Sequence, residues 1–353
     1  MSARQTQTMQ EEWATAQQIA RMFLPAAGVV SLQRIGGGLS GAAVFACQAD
    51  DESYALKRWP AGTTATRVDE VHEVLLQSRR TLSIVPELIR SPLGATRLGW
   101  ESSHYELTRW MPGEPMGGGH RWDGAHDDPA EVLSAVAAGA EAIAQFHESV
   151  RRFGSGCAPA PAVLRRLGRI EQLQKELPQA LVRRERLTGP LRAAADWLRS
   201  EGQQRLTCSY DRLGQRACDL VSSQVVLRDV HREHVLFCER RVSGLVDFDA
   251  LGCDTVATDI ARWLSGFVVP GLELSAVWDA ALTGYMQVLP LSGCEQDLVR
   301  VISEVSDVIS LANWVVWIAL EQRDFSASPD LVDRRVTELL RRMLAYTDIK
   351  GAT

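Results

Sequence analysis

Two short β-type runs, residues 31–35 and 42–48, flank the segment Gly36-Gly37-Gly38-Leu39-Ser40-Gly41. A third run, Tyr54-Ala55-Leu56-Lys57, follows the polar turn Asp50-Asp51-Glu52. Glycines turn tightly and, lacking Cβ atoms, let another group approach the backbone closely. Runs of this length separated by such punctuation predict an antiparallel meander. A helix is expected before it, over residues 10–24, with Pro25 closing the segment. The glycine cluster is not the Gly-x-Ser-x-Gly elbow of a hydrolase, because Gly41 follows Ser40 directly.

Helical spacing resumes over 67–82, where Val71, Val74, Leu75 and Leu82 share one side. Residues 104–109 read as a further strand, ending at the turn Met111-Pro112-Gly113. The boundary between a small β-rich lobe, residues 1–109, and a larger helical lobe, residues 110–353, is placed here. The second lobe opens with a Gly- and His-rich loop, 113–129, and a helix over about 130–150 with Val132, Val136, Ile143 and Phe146 on its buried face. One or two arginine-rich helices are expected within 160–220. Strand texture returns over 224–249, with a turn at Glu239-Arg240-Arg241. Helices fill the remainder, most clearly over 296–322 and 331–347.

A chain of 353 residues with 46% hydrophobic content can bury two such cores. The 38 basic against 44 acidic side chains, net −6, disfavour nucleic acid or an anionic membrane as partner, since both reward a basic surface. Seven scattered cysteines form no Cys-x-x-Cys pair, so neither a zinc module nor a disulfide framework is signalled. The polar N-terminus lacks the apolar core of a signal peptide, and a cytoplasmic location is expected. The most apolar stretch, residues 310–320, is too short to span a bilayer and reads as a core helix.

Four features carry candidate chemistry. Backbone N–H groups of Gly36, Gly37, Gly38 and Ser40 can approach phosphate oxygens. Lys57, on the strand after the hairpin, can hold α- and β-phosphates, or be a plain exposed strand lysine. A lysine in that role needs a carboxylate to orient it, and Asp69, Glu70 and Glu73 stand on the next helix, Glu70 being the first choice. In Leu227-Arg228-Asp229-Val230-His231-Arg232-Glu233-His234, Asp229 can accept the proton of an attacking hydroxyl, and a metal ligand five residues later stands across the same turn. In Val246-Asp247-Phe248-Asp249, Asp247 can hold Mg2+ through carboxylate oxygen. Read alone, Asp229, His231 and His234 also form Asp-x-His-x-x-His, a metal-hydrolase pattern, but no further His/Asp motif supports it.

In this order the features resemble the aminoglycoside phosphotransferase and choline kinase-like family, relatives of the protein kinases, over nearly the whole chain. The resemblance implies an α+β, two-lobed protein kinase-like fold, with ATP bound between a small antiparallel β-sheet lobe and a larger, mainly helical lobe. It implies that Asp229 is the catalytic base, that Asp247 is the main metal ligand, and that Lys57 binds phosphate. Asp259 would brace the catalytic loop, and the Tyr105–Pro112 strand and turn would receive the adenine. The expected activity is ATP- and Mg2+-dependent phosphoryl transfer to a hydroxyl of a small-molecule acceptor.

The chain departs from the family pattern His-Gly-Asp-x-x-x-x-Asn at three positions. Leu227 and Arg228 replace His and Gly, and His234 replaces the metal-binding Asn. Imidazole nitrogen suits Mn2+ better than Mg2+, so His234 is expected either to bind a softer metal, to leave the metal to Asp247, or to mark a nucleotide-binding pseudokinase. Bland roles are expected for His147, capping or packing near a helix end, and for Trp263, Trp314 and Trp317, packing in the core.

Overall fold

The computed structural model describes residues 3–27, 30–35, 41–116, 128–154, 156–267, 272–325 and 329–350. Contacts divide the chain into two units, residues 1–113 with 243–249, and residues 114–242 with 250–353.

In the first unit, helix α1 (Ala3–Phe23) precedes strands β1 (Val30–Ile35), β2 (Ala43–Ala49) and β3 (Glu52–Arg58). Helix α2 (Ala65–Arg79) follows, then β4 (Arg97–Trp100) and β5 (Ser103–Arg109). The sheet order is β1-β2-β3-β5-β4, antiparallel throughout. Strand side chains alternate between faces, and here the alternation separates two environments. Phe45, Leu56, Tyr105 and Leu107 form one buried cluster with Ile19 and Phe23 of α1. On the opposite face lie Lys57 and Glu106, which stand directly across from one another on β3 and β5. Thr64 caps α2 by accepting from the Arg67 N–H, and the helix buries Val68, Val71, His72, Val74 and Leu75. The sequence pattern missed β4, a four-residue strand containing Gly99.

Residues 243–249 return from far along the chain to this unit. The Leu245 N–H donates to the Ile84 carbonyl at 2.7 Å. The Arg67 guanidinium donates to the Asp249 carbonyl at 2.9 Å.

The second unit holds β6 (Glu114–Pro115), α3 (Pro129–Ser149), β7 (Gly156–Pro159), α4 (Pro161–Val182), α5 (Gly189–Trp197) and α6 (Gln203–Gly214). After them come β8 (Leu220–Val226) and β9 (Val235–Cys238), then β10 (Arg241–Leu245), which carries the chain into residues 243–249. The chain continues with β11 (Gly252–Asp254), α7 (Ala257–Leu264), α8 (Leu274–Met286), α9 (Gly293–Val315) and α10 (Pro329–Lys350). Strand β8 lies between β7 and β11, both antiparallel to it. The arginine-rich region forms two helical stretches, as expected: α4, and α5 continuing through a π turn at Leu198–Gly202 into α6. Gly189, at φ +54°, starts α5 with Pro190 in its first turn, and this break separates α5 from α4.

The apolar stretch 310–320 belongs to a helix that continues from Gly293 to Leu320, long and apolar enough by composition to cross a membrane. Its buried residues include Val305, Val308, Leu311, Ala312 and Val315. Asp307 on the same helix is also buried, and Arg342 of α10 donates to it at 2.7 Å. The segment is therefore packed as a core helix.

Helices α3 and α8 meet where side chains are absent. A Cβ on Gly284 would lie 2.2 Å from the Ala137 carbonyl oxygen, and a Cβ on Gly139 would lie 2.2 Å from the Trp263 ring. Trp263 itself is fully buried and donates its indole N–H to the Val136 carbonyl at 2.9 Å. Backbone cannot move aside as a flexible side chain can, so Gly284→Ala should destabilise the protein by about 1–3 kcal/mol through overpacking, despite the better helix propensity of alanine. Urea unfolding of the variant and the parent checks this.

Candidate active site

The second unit positions Asp229 by its backbone. Strand β8 ends at Val226, and the next two residues turn sharply, with Arg228 left-handed at φ 66°. That conformation is costly for a residue with a Cβ and persists only where surroundings hold it. Asp259 of α7 does so. It is fully buried, and it accepts from the N–H of Leu227 and of Arg228, both at 2.6 Å. Its Oδ2 also lies 2.9 Å from His147 Nε2, and His147 Nδ1 is 2.8 Å from the Tyr285 hydroxyl. The brace expected of Asp259 thus extends through α3 to α8. His147 is its buried link, a more specific role than capping or packing near a helix end.

The two carboxylate oxygens of Asp229 have different surroundings. Oδ1 receives Arg262 Nε at 3.2 Å and Nη2 at 3.0 Å, and lies 2.9 Å from His231 Nε2. Oδ2 has no hydrogen-bond partner among the described residues, and the side chain is 43% exposed. Enclosure acts to raise the pKa of Asp229, but His231 and Arg262 outweigh it and hold the carboxylate far below its ordinary range. His231 responds in the opposite sense. Burial and the Arg262 charge push its pKa down to about 4 despite the neighbouring carboxylate. Neutral imidazole is therefore its state at pH 7.

His234, the residue at the expected asparagine position, places Nδ1 at 2.7 Å from the Asp229 carbonyl. That bond commits Nδ1 to the loop backbone. Among the described residues, no group of three or more His, Cys, Asp or Glu side chains is assembled as a ligand set.

The first unit gathers the other candidates. Lys57 Nζ lies 3.1 Å from Asp247 Oδ1 and 2.5 Å from Asp249 Oδ1. Burial disfavours the ammonium, but Asp247, Asp249 and Glu106 more than compensate, and Lys57 stays protonated well above its usual range. The Asp249 carboxyl is pushed up to about 6, first by burial and further by the negative charge of Asp247, against the pull of Lys57. Asp247 adopts φ 64°, a second left-handed non-glycine residue. Hard carboxylate oxygens with an excess of negative charge are the donor set that suits Mg2+.

Glu70 does not supply the partner of Lys57. It is exposed on α2, with its carboxylate 3.5 Å from Arg67. Asp69 pairs with Arg97 at 2.6 Å, and Glu73 is exposed. The α2 residue that faces inward is His72, 2% exposed. A helix of this pitch turns carboxylates at 69, 70 and 73 away when it buries 68, 71, 72 and 75. Tyr105–Pro112 runs along β5 and just beyond it, as expected for a strand and turn. Gly36, Gly37, Gly38 and Ser40 lie outside the described residues.

Sequence reasoning missed Arg262, Asp249 and Glu106. Asp249 stood in a quoted motif but had no assigned role. Arg262 falls three residues after Asp259, close enough on a helix for one face to carry both. That spacing was an available signal. Nothing in the pattern HYELTR marks Glu106 as opposite Lys57, because strand register is not written locally.

The profile of the phosphotransferase enzyme family (APH) matches residues 31–291. A search of curated proteins returns no significant match. Among solved structures, the chain is similar to an aminoglycoside phosphotransferase from Alicyclobacillus acidocaldarius, with TM-score 0.59 and 15% identity over 91% of this chain and 92% of that one. It is also similar to spectinomycin phosphotransferase in complex with ADP and spectinomycin, with TM-score 0.58 and 12% identity over 89% and 93%. A third likeness is to an amicoumacin kinase in complex with AMP-PNP and Ca2+, with TM-score 0.56 and 14% identity over 93% and 95%. At these identities the likeness is one of fold, the expected α+β kinase-like arrangement.

The low pKa of His231 has a measurable consequence. The folded chain takes up this proton only near pH 4, whereas an unfolded imidazole does so near 6.5. The unfolded state therefore binds more protons as pH falls, and stability declines from pH 7 toward 4. The lowered pKa of Asp229 acts in the same direction at still lower pH. Between pH 7 and 5 the parent should lose about 1–2 kcal/mol more stability than His231→Gln. Urea titrations of both proteins at the two pH values measure the difference.

Proposed function

The chain belongs to the phosphotransferase enzyme family, and on that premise we propose that it transfers the γ-phosphoryl group of ATP to a hydroxyl of a small molecule. The observation that carries the proposal is the asymmetry at Asp229. Oδ1 is held by Arg262 and His231, while Oδ2 meets no partner among the described residues. A carboxylate fixed by one oxygen and open at the other can orient an acceptor hydroxyl and take its proton as the phosphoryl group leaves ATP.

Arg262 has two roles in this reading. It keeps Asp229 ionised, and its one-third-exposed guanidinium supplies positive charge beside the reacting hydroxyl. Lys57 positions the nucleotide phosphates, and Gly36, Gly37, Gly38 and Ser40 are candidates from the sequence alone for contacting them. Asp247, with Asp249 beside it, would hold Mg2+, which when bound neutralises charge on the β- and γ-phosphates.

One arrangement also suits a nucleotide-binding protein without turnover. The Lys57 ammonium is paired with both Asp247 and Asp249, which compete with nucleotide phosphates for it. The two readings separate on ATP hydrolysis, measured in Mg2+ and then Mn2+, for the parent, Asp229→Ala and Asp247→Ala. Phosphotransfer predicts metal-dependent turnover that falls at least about 100-fold in each variant. Nucleotide binding without turnover in either metal, across a panel of small-molecule alcohols, would sink the phosphotransferase reading.

A further inference from the structure

Lys57 and Glu106 are paired residues on β3 and β5, so their side chains project from the same face of the sheet. Directly opposed positions hold their Cβ atoms about 5 Å apart. Glu106 is only 8% exposed, and two side chains fix its carboxylate. Trp59 Nε1 donates to Oε2 at 2.8 Å, and His72 Nε2 lies 2.7 Å from the same oxygen. A carboxylate oxygen only accepts, so His72 carries its proton on Nε2. Nδ1 then accepts from the Thr96 hydroxyl at 2.8 Å. The second oxygen, Oε1, has no hydrogen bond among the described residues.

We propose that Glu106 is the carboxylate that positions Lys57 for nucleotide phosphates, with His72 and Trp59 holding it in place. The inference rests on the phosphotransferase reading above. In the general kinase arrangement, the phosphate-binding lysine pairs with a glutamate of the packed helix. Here that helix turns all three candidate carboxylates outward and contributes an imidazole instead. Helix α2 therefore positions the carboxylate without supplying it.

Trp59 joins the two charges. Its indole N–H is on Glu106, and its ring lies 5.3 Å from the Lys57 ammonium. Burial alone would raise the pKa of Glu106, but His72 and Lys57 outweigh it and keep the carboxylate ionised. A buried anion of this kind is stable only with a cation nearby, and Lys57 is the cation its register provides. The Lys57 ammonium contacts Asp247 and Asp249 directly in the structure. When it turns from them to phosphate, Glu106 keeps the side chain aimed across the sheet face.

Two readouts test the role of Glu106. The first needs no nucleotide: the rate at which an amine-reactive ester acylates Lys57, followed by peptide mass spectrometry. Glu106→Gln should raise that rate at least twofold, and Glu73→Gln should leave it unchanged. The second is steady-state kinetics in ATP, where Glu106→Gln should lower kcat/KM for ATP at least tenfold and leave the acceptor KM within twofold. Adding His72→Glu to Glu106→Gln returns a carboxylate to this corner from the helix and should recover part of the loss. Unchanged Lys57 labelling overturns the proposal, as does a lowered Tm with parental kinetics, which is the signature of a purely structural carboxylate. A parent protein that never turns ATP over, yet shows the labelling change, would overturn the phosphotransferase reading and leave the Lys57–Glu106 coupling standing.

Discussion

Asp259 is fully buried, so its carboxylate needs hydrogen-bond partners inside the fold. Two of those groups are the backbone N–H donors of Leu227 and Arg228, which a left-handed turn points toward it. A third is His147, itself fixed by the Tyr285 hydroxyl. Satisfying this one buried anion thus sets the turn after β8, and the turn sets the direction of Asp229. Arg262, three residues after Asp259, reaches Asp229 from the same helix. One short helix therefore holds both the backbone and the carboxylate of the loop.

The first unit solves a different electrostatic problem. Asp247, Asp249 and Glu106 place three carboxylates around a single lysine. Burial first, and then the negative charge of Asp247, raise the pKa of Asp249, while the surrounding carboxylates keep the lysine charged despite its burial. The burial of Glu106 is compatible with this because His72 and Trp59 donate to it and the Lys57 charge lies opposite. A site of this charge attracts cations.

Much of the fold was legible because helical and strand periodicities are local properties. The apolar spacing at Val71, Val74 and Leu75 found α2, and Val132, Val136, Ile143 and Phe146 found α3. Gly189 and Pro190 carry the break that separates α5 from α4 and makes two helical stretches of the arginine-rich region. Strands β4, β7 and β11 have four, four and three residues. That is too short for alternation to stand out from loop, and they exist because longer neighbours pair with them.

The sequence by itself determined which residue types could do chemistry and in what order: a glycine-rich hairpin, a strand lysine, an aspartate after a strand, and another after a hairpin. The family resemblance, carried by those motifs, implied Asp259 as a brace. Only the tertiary structure decided which charges meet. Lys57 and Asp247 are 190 residues apart, and Lys57 and Glu106 meet through strand register. Glu70 lost the place assigned to it because α2 is rotated by the burial of Val68, Val71, His72 and Leu75. Helix rotation and strand register are set by the whole packed core, and no local stretch of sequence encodes either one.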